Sequence, residues 1–143
     1  MDIVAARDTD KQAWLPLWQA YLDFYSHTLP EGMTDLTFAR FVDEAEPMGL
    51  LLAKEGEVVI GFATWILHHS TWAQVGYVYL EDLFVSDAAR GKGAGRALIE
   101  ALAVLAKDKG AGRLYWVTEA PNTTAQALYD KLATKTDYIQ YRR

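Results

Sequence analysis

A glycine-rich segment lies where a predicted strand gives way to a predicted helix. Its members are Arg90, Gly91, Lys92, Gly93, Ala94, Gly95 and Arg96. Glycine allows the backbone to approach an oxygen-rich group closely, and the free N–H groups at a helix start stabilise negative charge. The spacing matches neither the Walker loop nor the dinucleotide-binding fingerprint. The segment therefore predicts a pyrophosphate-binding loop of another kind, in preference to a glycine-rich turn without a ligand.

Two side chains, Glu81 and Tyr129, are candidates for acid–base chemistry. Glu81 and Asp82 are adjacent in a predicted strand, and the alternation of side chains puts them on opposite faces, so at most one faces a cleft. A carboxylate that faces a cleft can act as a base, the alternative being a purely structural carboxylate. Tyr129 shares a helical face with Ala125 and Leu132. A phenol can donate a proton as a general acid, whereas an aromatic residue on an amphipathic helix can equally belong to the core.

Other reactive groups are sparse. The chain has no cysteine, which excludes disulfides, thiolate metal sites and a cysteine nucleophile. His27, His68 and His69 lack the spacing of metal ligands, so no metal site is expected. A serine hydrolase is disfavoured because the chain has no Gly-x-Ser-x-Gly sequence.

The composition predicts one folded domain, residues 1–143, since 51% of the residues are hydrophobic and 23% are charged. Residues 1–89 hold 4 basic against 14 acidic residues, a net charge of −10, whereas residues 90–143 hold 10 against 5, a net charge of +5. The electrostatic field of such a charge distribution favours an anionic cofactor at the basic half and a cationic substrate at the acidic half. Without a basic stripe, a membrane span or a signal core, we expect a cytoplasmic protein with no nucleic-acid or membrane partner.

Hydrophobic periodicity places the elements that must position these residues. The predicted helices cover roughly residues 14–25, 36–42, 93–109 and 123–132. The predicted strands cover residues 3–6, 50–54, 58–67, 75–85, 114–118 and 138–141. The order is an antiparallel meander followed by a crossover unit, which predicts an α/β domain.

These segments resemble the GNAT N-acetyltransferases. The acyl-CoA loop of that family has Arg or Gln, two free positions, Gly, one free position and then Gly or Ala, and Arg90, Gly93 and Gly95 match it. Residues 79–85, YLEDLFV, are similar to a strand of the diamine and thialysine acetyltransferases, and residues 115–141 to the histone and polyamine acetyltransferases. The Gly-Phe or Gly-Tyr that often follows the last helix of the family is absent.

The resemblance implies a fold and a cofactor site. The fold is a mixed central sheet with an antiparallel N-terminal meander, splayed strands and helices on both faces. Acetyl-CoA would lie along the backbone of Leu83, Phe84 and Val85, where a bulge near Leu83 would open the strand edge. Its pyrophosphate would bind residues 90–96. Asn122 and Tyr129 would also contact the cofactor.

The resemblance also implies an activity, transfer of an acetyl group to a primary amine by direct attack. Tyr129 would be the general acid, Glu81 the base, directly or through water, and the backbone N–H of Val85 the oxyanion donor. The acceptor would be a polyamine, a lysine-like small amine or a basic protein tail, with its contacts at Glu31, Asp35, Glu81 and Asp82.

Two alternatives stay open, an antibiotic- or amino-acid-type N-acetyltransferase and a non-catalytic acyl-CoA sensor. The presence of both Tyr129 and Glu81 argues against the sensor, because binding alone requires neither group. Related enzymes associate through the C-terminal strand, so a homodimer with residues 138–141 at or near the interface is expected.

Overall fold

One mixed five-stranded sheet organises the chain. The computed structural model describes all 143 residues, Met1–Arg143. The strands are β1 (Asp2–Ala5), β2 (Met48–Glu55), β3 (Val58–Ser70), β4 (Ala73–Val85) and β5 (Leu114–Tyr115). The helices are α1 (Lys11–Phe24), α2 (Met33–Phe41), α3 (Ala94–Asp108) and α4 (Thr123–Leu132). The strands lie side by side in chain order, antiparallel except for the parallel pair β4–β5, which confirms the predicted α/β fold with a mixed sheet.

Two hydrophobic clusters cover the two faces of the sheet. In β2, Leu51 and Ala53 belong to one cluster, whereas Leu50 and Leu52 belong to the other, as the alternation of side chains in a strand requires. The first cluster is closed by apolar residues of α3 and the second by aromatic residues of α1 and α2. The helices therefore lie on both faces of the sheet, as predicted. No helix is both long and apolar enough to cross a membrane.

An aromatic stripe runs along α1 and lies mostly in the core; it consists of Trp14, Trp18, Tyr21 and Tyr25. Trp14 and Trp18 are buried and their rings stack with centroids 5.2 Å apart, while Tyr25, just past the helix end, is 48% exposed. A buried ion pair fixes the start of this helix, because Asp10 Oδ1 lies 2.7 Å from Lys54 Nζ of β2. The stripe thus packs α1 across β3 and β4.

The hairpin formed by β3 and β4 is longer than predicted. Both strands have 13 residues, and the ladder continues through His68, opposite Tyr77, to Ser70, opposite Ala73. Cross-strand pairing therefore reaches Ser70, with an irregularity at His69, in residues in which the sequence shows no apolar alternation.

The strands β4 and β5 separate soon after they meet. Only two pairs join them, Val78 with Leu114 and Tyr79 with Tyr115, whereas β4 stays paired with β3 as far as Val85. Residues 80–85 of β4 consequently have a strand on one edge and none on the other. This is the splay expected from the resemblance.

The predicted last strand is wrong. Residues 133–143 contain no strand, and the side chains of Tyr138, Ile139 and Tyr141 are 88%, 77% and 88% exposed. An alternating pattern becomes a strand only where a partner edge exists, and β5, also shorter than predicted, offers only two residues. The segment is therefore an exposed tail within this chain.

Candidate active site

A β-bulge interrupts β4 beside the splay. Thr64 of β3 lies opposite Asp82, but the next residue, Trp65, lies opposite Leu80, so Glu81 has no partner. The bulge is therefore at Glu81, two residues before Leu83, near which we expected one. Leu80 packs on the α3 side, whereas Asp82 bonds to α1 on the opposite side, so the extra residue reverses the alternation of side chains. The expectation that Glu81 and Asp82 point to opposite faces assumed a regular strand and does not apply across this bulge.

Asp82 is held by two hydroxyl groups. Its Oδ2 accepts a hydrogen bond of 2.6 Å from Thr64 Oγ1, and its Oδ1 accepts one of 2.8 Å from the Tyr21 hydroxyl. Burial raises the pKa of the Asp82 carboxyl, although both hydrogen bonds act in the opposite direction. Both oxygens are therefore in use within the protein.

Glu81 lies on the exposed side of the bulge with its carboxylate free of hydrogen bonds and ion pairs. Partial desolvation raises its pKa, and the negative charge of Asp82 adds to the effect. Glu81 also adds to the raised pKa of Tyr79 and of Tyr21, in both of which burial is the main cause. A carboxylate with a raised pKa and no partner is suited to accept a proton near neutral pH.

Tyr129 lies on α4, half-buried against the edge of Trp116, with the two ring centroids 5.5 Å apart. Burial raises the pKa of its phenol, and Tyr25 near the end of α1 adds to the effect. The hydroxyl therefore stays protonated at neutral pH, as a proton donor must. A Cβ placed on Gly95 would lie 3.5 Å from Leu128, so α4 packs against the start of α3.

The start of α3 has the geometry of an anion site. Gly93 is the N-cap residue with φ of +84°, no side chain caps the helix, and Ala97 N–H makes the bond to the Gly93 carbonyl. The N–H groups of residues 94–96 consequently have no acceptor within the helix. A Cβ on Gly91 or Gly93 would meet nothing within 4 Å, so the approach to these donors is open. An anion could approach these donors, and phosphate binding at residues 90–96 stays a prediction.

The basic side chains of the loop are occupied by weak surface pairs. Arg90 pairs with Asp87 at 3.1 Å, Lys92 with Glu55 at 3.9 Å and Arg96 with Glu100 at 2.9 Å. All three cations are about half-exposed, and surface pairs of this kind contribute about 0–1 kcal/mol. They can therefore be exchanged for a phosphate at little cost.

The free edge of β4 connects the loop with the bulge. Leu83, Phe84 and Val85 are half-buried and pair with β3 on one side only. An extended ligand that carries amides can pair with such an edge, as a peptide adds to a sheet. The edge thus suits the pantetheine arm that the resemblance predicts.

The other residues predicted to bind the cofactor or the substrate are Asn122, Glu31 and Asp35. Asn122 caps α4, with Oδ1 accepting from Ala125 N–H at 3.3 Å. Glu31 is exposed in the turn before α2, without a hydrogen bond to β4, and Asp35 pairs with Lys11 at 2.7 Å. The structure therefore brings together Glu81 and Asp82 but does not join Glu31 to them. No group of three or more His, Asp or Glu side chains is arranged to hold a metal ion.

Sequence reasoning missed the two partners of Asp82. In the sequence, Tyr21 is one of several aromatic residues at helical spacing, a pattern typical of a core-facing helix, and Thr64 is one residue of a predicted strand. Their hydroxyl groups were the only signal, and it gains meaning only once β3, β4 and α1 are known to meet. A second missed contact joins His68 to Tyr115, with His68 Nε2 2.7 Å from the hydroxyl and His68 Nδ1 2.8 Å from the His69 carbonyl.

Comparison with known proteins identifies the family of this chain. Residues 14–133 match the Acetyltransferase (GNAT) family. The chain belongs to the GNAT acetyltransferase family. As a GNAT protein it is 39% identical over 143 residues to a D-amino-acid N-acetyltransferase of Saccharomyces cerevisiae, covering 99% of this chain and 89% of that protein. From the family match and this similarity, the chain is an N-acetyltransferase.

The chain is also similar to a second curated protein and to a solved structure. A thialysine N-epsilon-acetyltransferase of Caenorhabditis elegans is 40% identical over 85 residues, covering 59% of this chain and 49% of that protein. Among solved structures, an aminoglycoside N-acetyltransferase in complex with CoA superposes with a TM-score of 0.84 at 23% identity, covering 99% of this chain and 93% of that one. The second likeness supports the fold alone.

Proposed function

We propose that this GNAT protein transfers an acetyl group from acetyl-CoA to the primary amine of a cationic acceptor, by direct attack within a ternary complex. One observation carries the proposal: the unpaired edge of β4 runs from the free N–H groups of α3 to the unpartnered carboxylate of Glu81. A donor-rich helix start and an acid–base group thus lie at the two ends of one open strand edge.

The residues present fit acetyl-CoA. The N–H groups of residues 94–96, together with Arg90, Lys92 and Arg96, would hold the pyrophosphate. The backbone of Leu83–Val85 would bind the pantetheine arm along the open edge. When bound, acetyl-CoA supplies an acetyl group activated as a thioester.

The side chains divide the proton transfers between them. Glu81 accepts the proton that the amine must lose, directly or through a water molecule, and its raised pKa brings this transfer closer to neutral pH. The hydroxyl of Tyr129 carries the proton for the leaving thiolate, and the raised pKa of this phenol keeps the proton in place. The N–H of Val85 would stabilise the oxyanion that develops during attack.

The charge around the opening favours a cationic acceptor. Glu81 and Asp82 lie side by side without a Lys or Arg partner, within the acidic half of the chain. Lysine-like amines and polyamines, as well as basic protein tails, carry the additional positive charge that such a site attracts. The names of the thialysine and D-amino-acid relatives support an amine on a small molecule, with an amino-acid acceptor as the second candidate.

A panel of amines tests the proposal by the release of free CoA thiol. We expect turnover with spermidine, thialysine or D-lysine to exceed turnover with D-alanine, which has the α-amine and carboxylate but no second cation. A basic peptide distinguishes a protein acceptor from a small one. Acetyl-CoA without an amine measures hydrolysis. Binding of acetyl-CoA without turnover of any amine would favour the sensor, and preference for D-alanine would favour the amino-acid acceptor.

A further inference from the structure

The Asp82 carboxylate is half-buried against hydroxyl groups and forms no ion pair. Thr64, one of the two donors, is 1% exposed, and Tyr21, the other, packs its ring against Phe62 and Phe84. Burying a carboxylate is costly unless its oxygens are hydrogen-bonded, so this arrangement requires both donors.

The Thr64 hydroxyl also replaces a backbone hydrogen bond that is lost at the bulge. It accepts a hydrogen bond of 3.0 Å from the Asp82 N–H while it donates to the Asp82 carboxylate. In a regular antiparallel ladder such an N–H donates to a carbonyl group of the neighbouring strand, and a bulge disrupts that pairing. The Thr64 side chain therefore takes the place of a missing ladder bond directly beside Glu81.

We propose that Asp82 is a positioning residue whose bonds to Thr64 and Tyr21 hold the bulge that presents Glu81 to the opening between β4 and β5. The inference rests on the proposed function, in which Glu81 accepts the proton of the amine. It differs from the substrate contact that the resemblance implies for Asp82, because both carboxylate oxygens are already bonded within the protein.

The arrangement has a geometric and an electrostatic consequence. Tyr21 ties the bulge to α1, whose aromatic stripe is anchored in the core, so the backbone at Glu81 is fixed from two elements. Misplacing a reacting group by about 1 Å can cost about 100-fold in rate. The charge of Asp82 also contributes to the raised pKa of Glu81, so its removal affects the proton affinity of the base.

Replacement of Thr64 separates this role from simple packing. Thr64→Val keeps the shape but removes both hydrogen bonds of the hydroxyl, and we expect kcat to fall about 100-fold with KM for acetyl-CoA little changed. Thr64→Ser restores the hydroxyl and should recover most of the lost turnover. Thr34→Val is the matched control, because it removes a hydroxyl that accepts from Trp18 Nε1 of α1 at 3.1 Å, away from the bulge. We expect it to keep wild-type kcat.

A pH profile supplies the second readout. Asp82→Asn removes the neighbouring negative charge, so the acidic limb of kcat/KM, assigned to Glu81, should move to lower pH, besides a loss of kcat. If Thr64→Val does not fold, Tyr21→Phe keeps the ring and removes one donor to Asp82, and we expect kcat to fall about 10-fold.

The outcomes separate the two proposals. Equal kcat for Thr64→Val and Thr34→Val, failure of Thr64→Ser to recover turnover, or an unmoved acidic limb in Asp82→Asn would overturn the positioning role of Asp82. Where Thr64→Val does not fold, wild-type kcat in Tyr21→Phe would likewise overturn the positioning role of Asp82. Wild-type turnover in Glu81→Gln would instead overturn the catalytic role of Glu81 in the proposed function.

Discussion

At the scale of single residues, the tyrosine on α4 provides the sharpest test of the proposed chemistry. Tyr129→Phe keeps the ring against Trp116 and removes only the proton donor. We expect kcat to fall roughly 10- to 1,000-fold, with the affinity for acetyl-CoA little changed, because loss of a general acid affects the transition state more than binding. Steady-state kinetics and calorimetric titration measure the two quantities.

Tyr77→Phe is a suitable control for this substitution. Tyr77 is also a half-buried tyrosine, its hydroxyl makes no hydrogen bond, and its ring lies under the Arg113 guanidinium, 4.3 Å from the centroid. It should retain wild-type turnover. Equal kcat for Tyr129→Phe and wild type would identify Tyr129 as a core aromatic residue.

The raised pKa of Glu81 makes a signed prediction about pH. Activity requires the ionised carboxylate, so it should fall as the pH decreases through a pKa that lies above the ordinary value of a glutamate side chain. We divide kcat/KM of the wild type by kcat/KM of Glu81→Gln, both measured with the same amine. The effect of the ionisation of that amine then cancels. We expect this ratio to be constant at high pH and to decline on acidification. A ratio that is independent of pH would exclude Glu81 as the base.

At the scale of elements, the phosphate loop depends on the start of α3. A side chain at Gly93 meets no protein atom, but it would project where a phosphate must approach the free N–H groups. We expect Gly93→Ala to weaken acetyl-CoA binding about 10-fold or more, equivalent to about 1.4 kcal/mol, in a folded protein. Isothermal titration calorimetry provides the affinity.

The chain offers a matched control for backbone strain. Gly32 is the N-cap residue of α2, has φ of +80° against +84° at Gly93, and is equally open to solvent. Gly32→Ala should therefore lower the free energy of unfolding as much as Gly93→Ala, about 1–2 kcal/mol, without an effect on cofactor affinity. If both variants bind acetyl-CoA like wild type, the cofactor does not occupy this loop.

Most of the elements and the glycine-rich start of α3 could be predicted because their signals are local. The stripe of α3 and the glycines before it specify a helix and its start without reference to the rest of the chain. The bulge at Glu81 could not be predicted, because it is a mismatch between two strands and appears only in their register. The hydroxyl partners of Asp82 were missed for the same reason, since Tyr21 lies 61 residues and Thr64 18 residues away in sequence.

At the scale of the whole molecule, the exposed tail raises the question of assembly. Residues 138–141 alternate as a strand does, yet they have no partner within the chain, and Tyr138, Ile139 and Tyr141 face solvent. Exposed apolar side chains on an unpaired segment invite pairing with another chain. We therefore propose a homodimer in which the tail of each subunit lies at or near the interface, as the resemblance to the polyamine and histone enzymes implies.

Light scattering at micromolar concentration tests this assembly. We expect a mass of about twice 16.0 kDa for the full chain and a mass near 16.0 kDa after deletion of residues 138–143, with secondary structure retained. Trp72→Ala removes another exposed aromatic side chain, 84% exposed at the tip of the β3–β4 hairpin, and should leave the dimer intact. A mass near 16.0 kDa for the full chain, or a dimer that survives the deletion, would mean that the tail is not an assembly element.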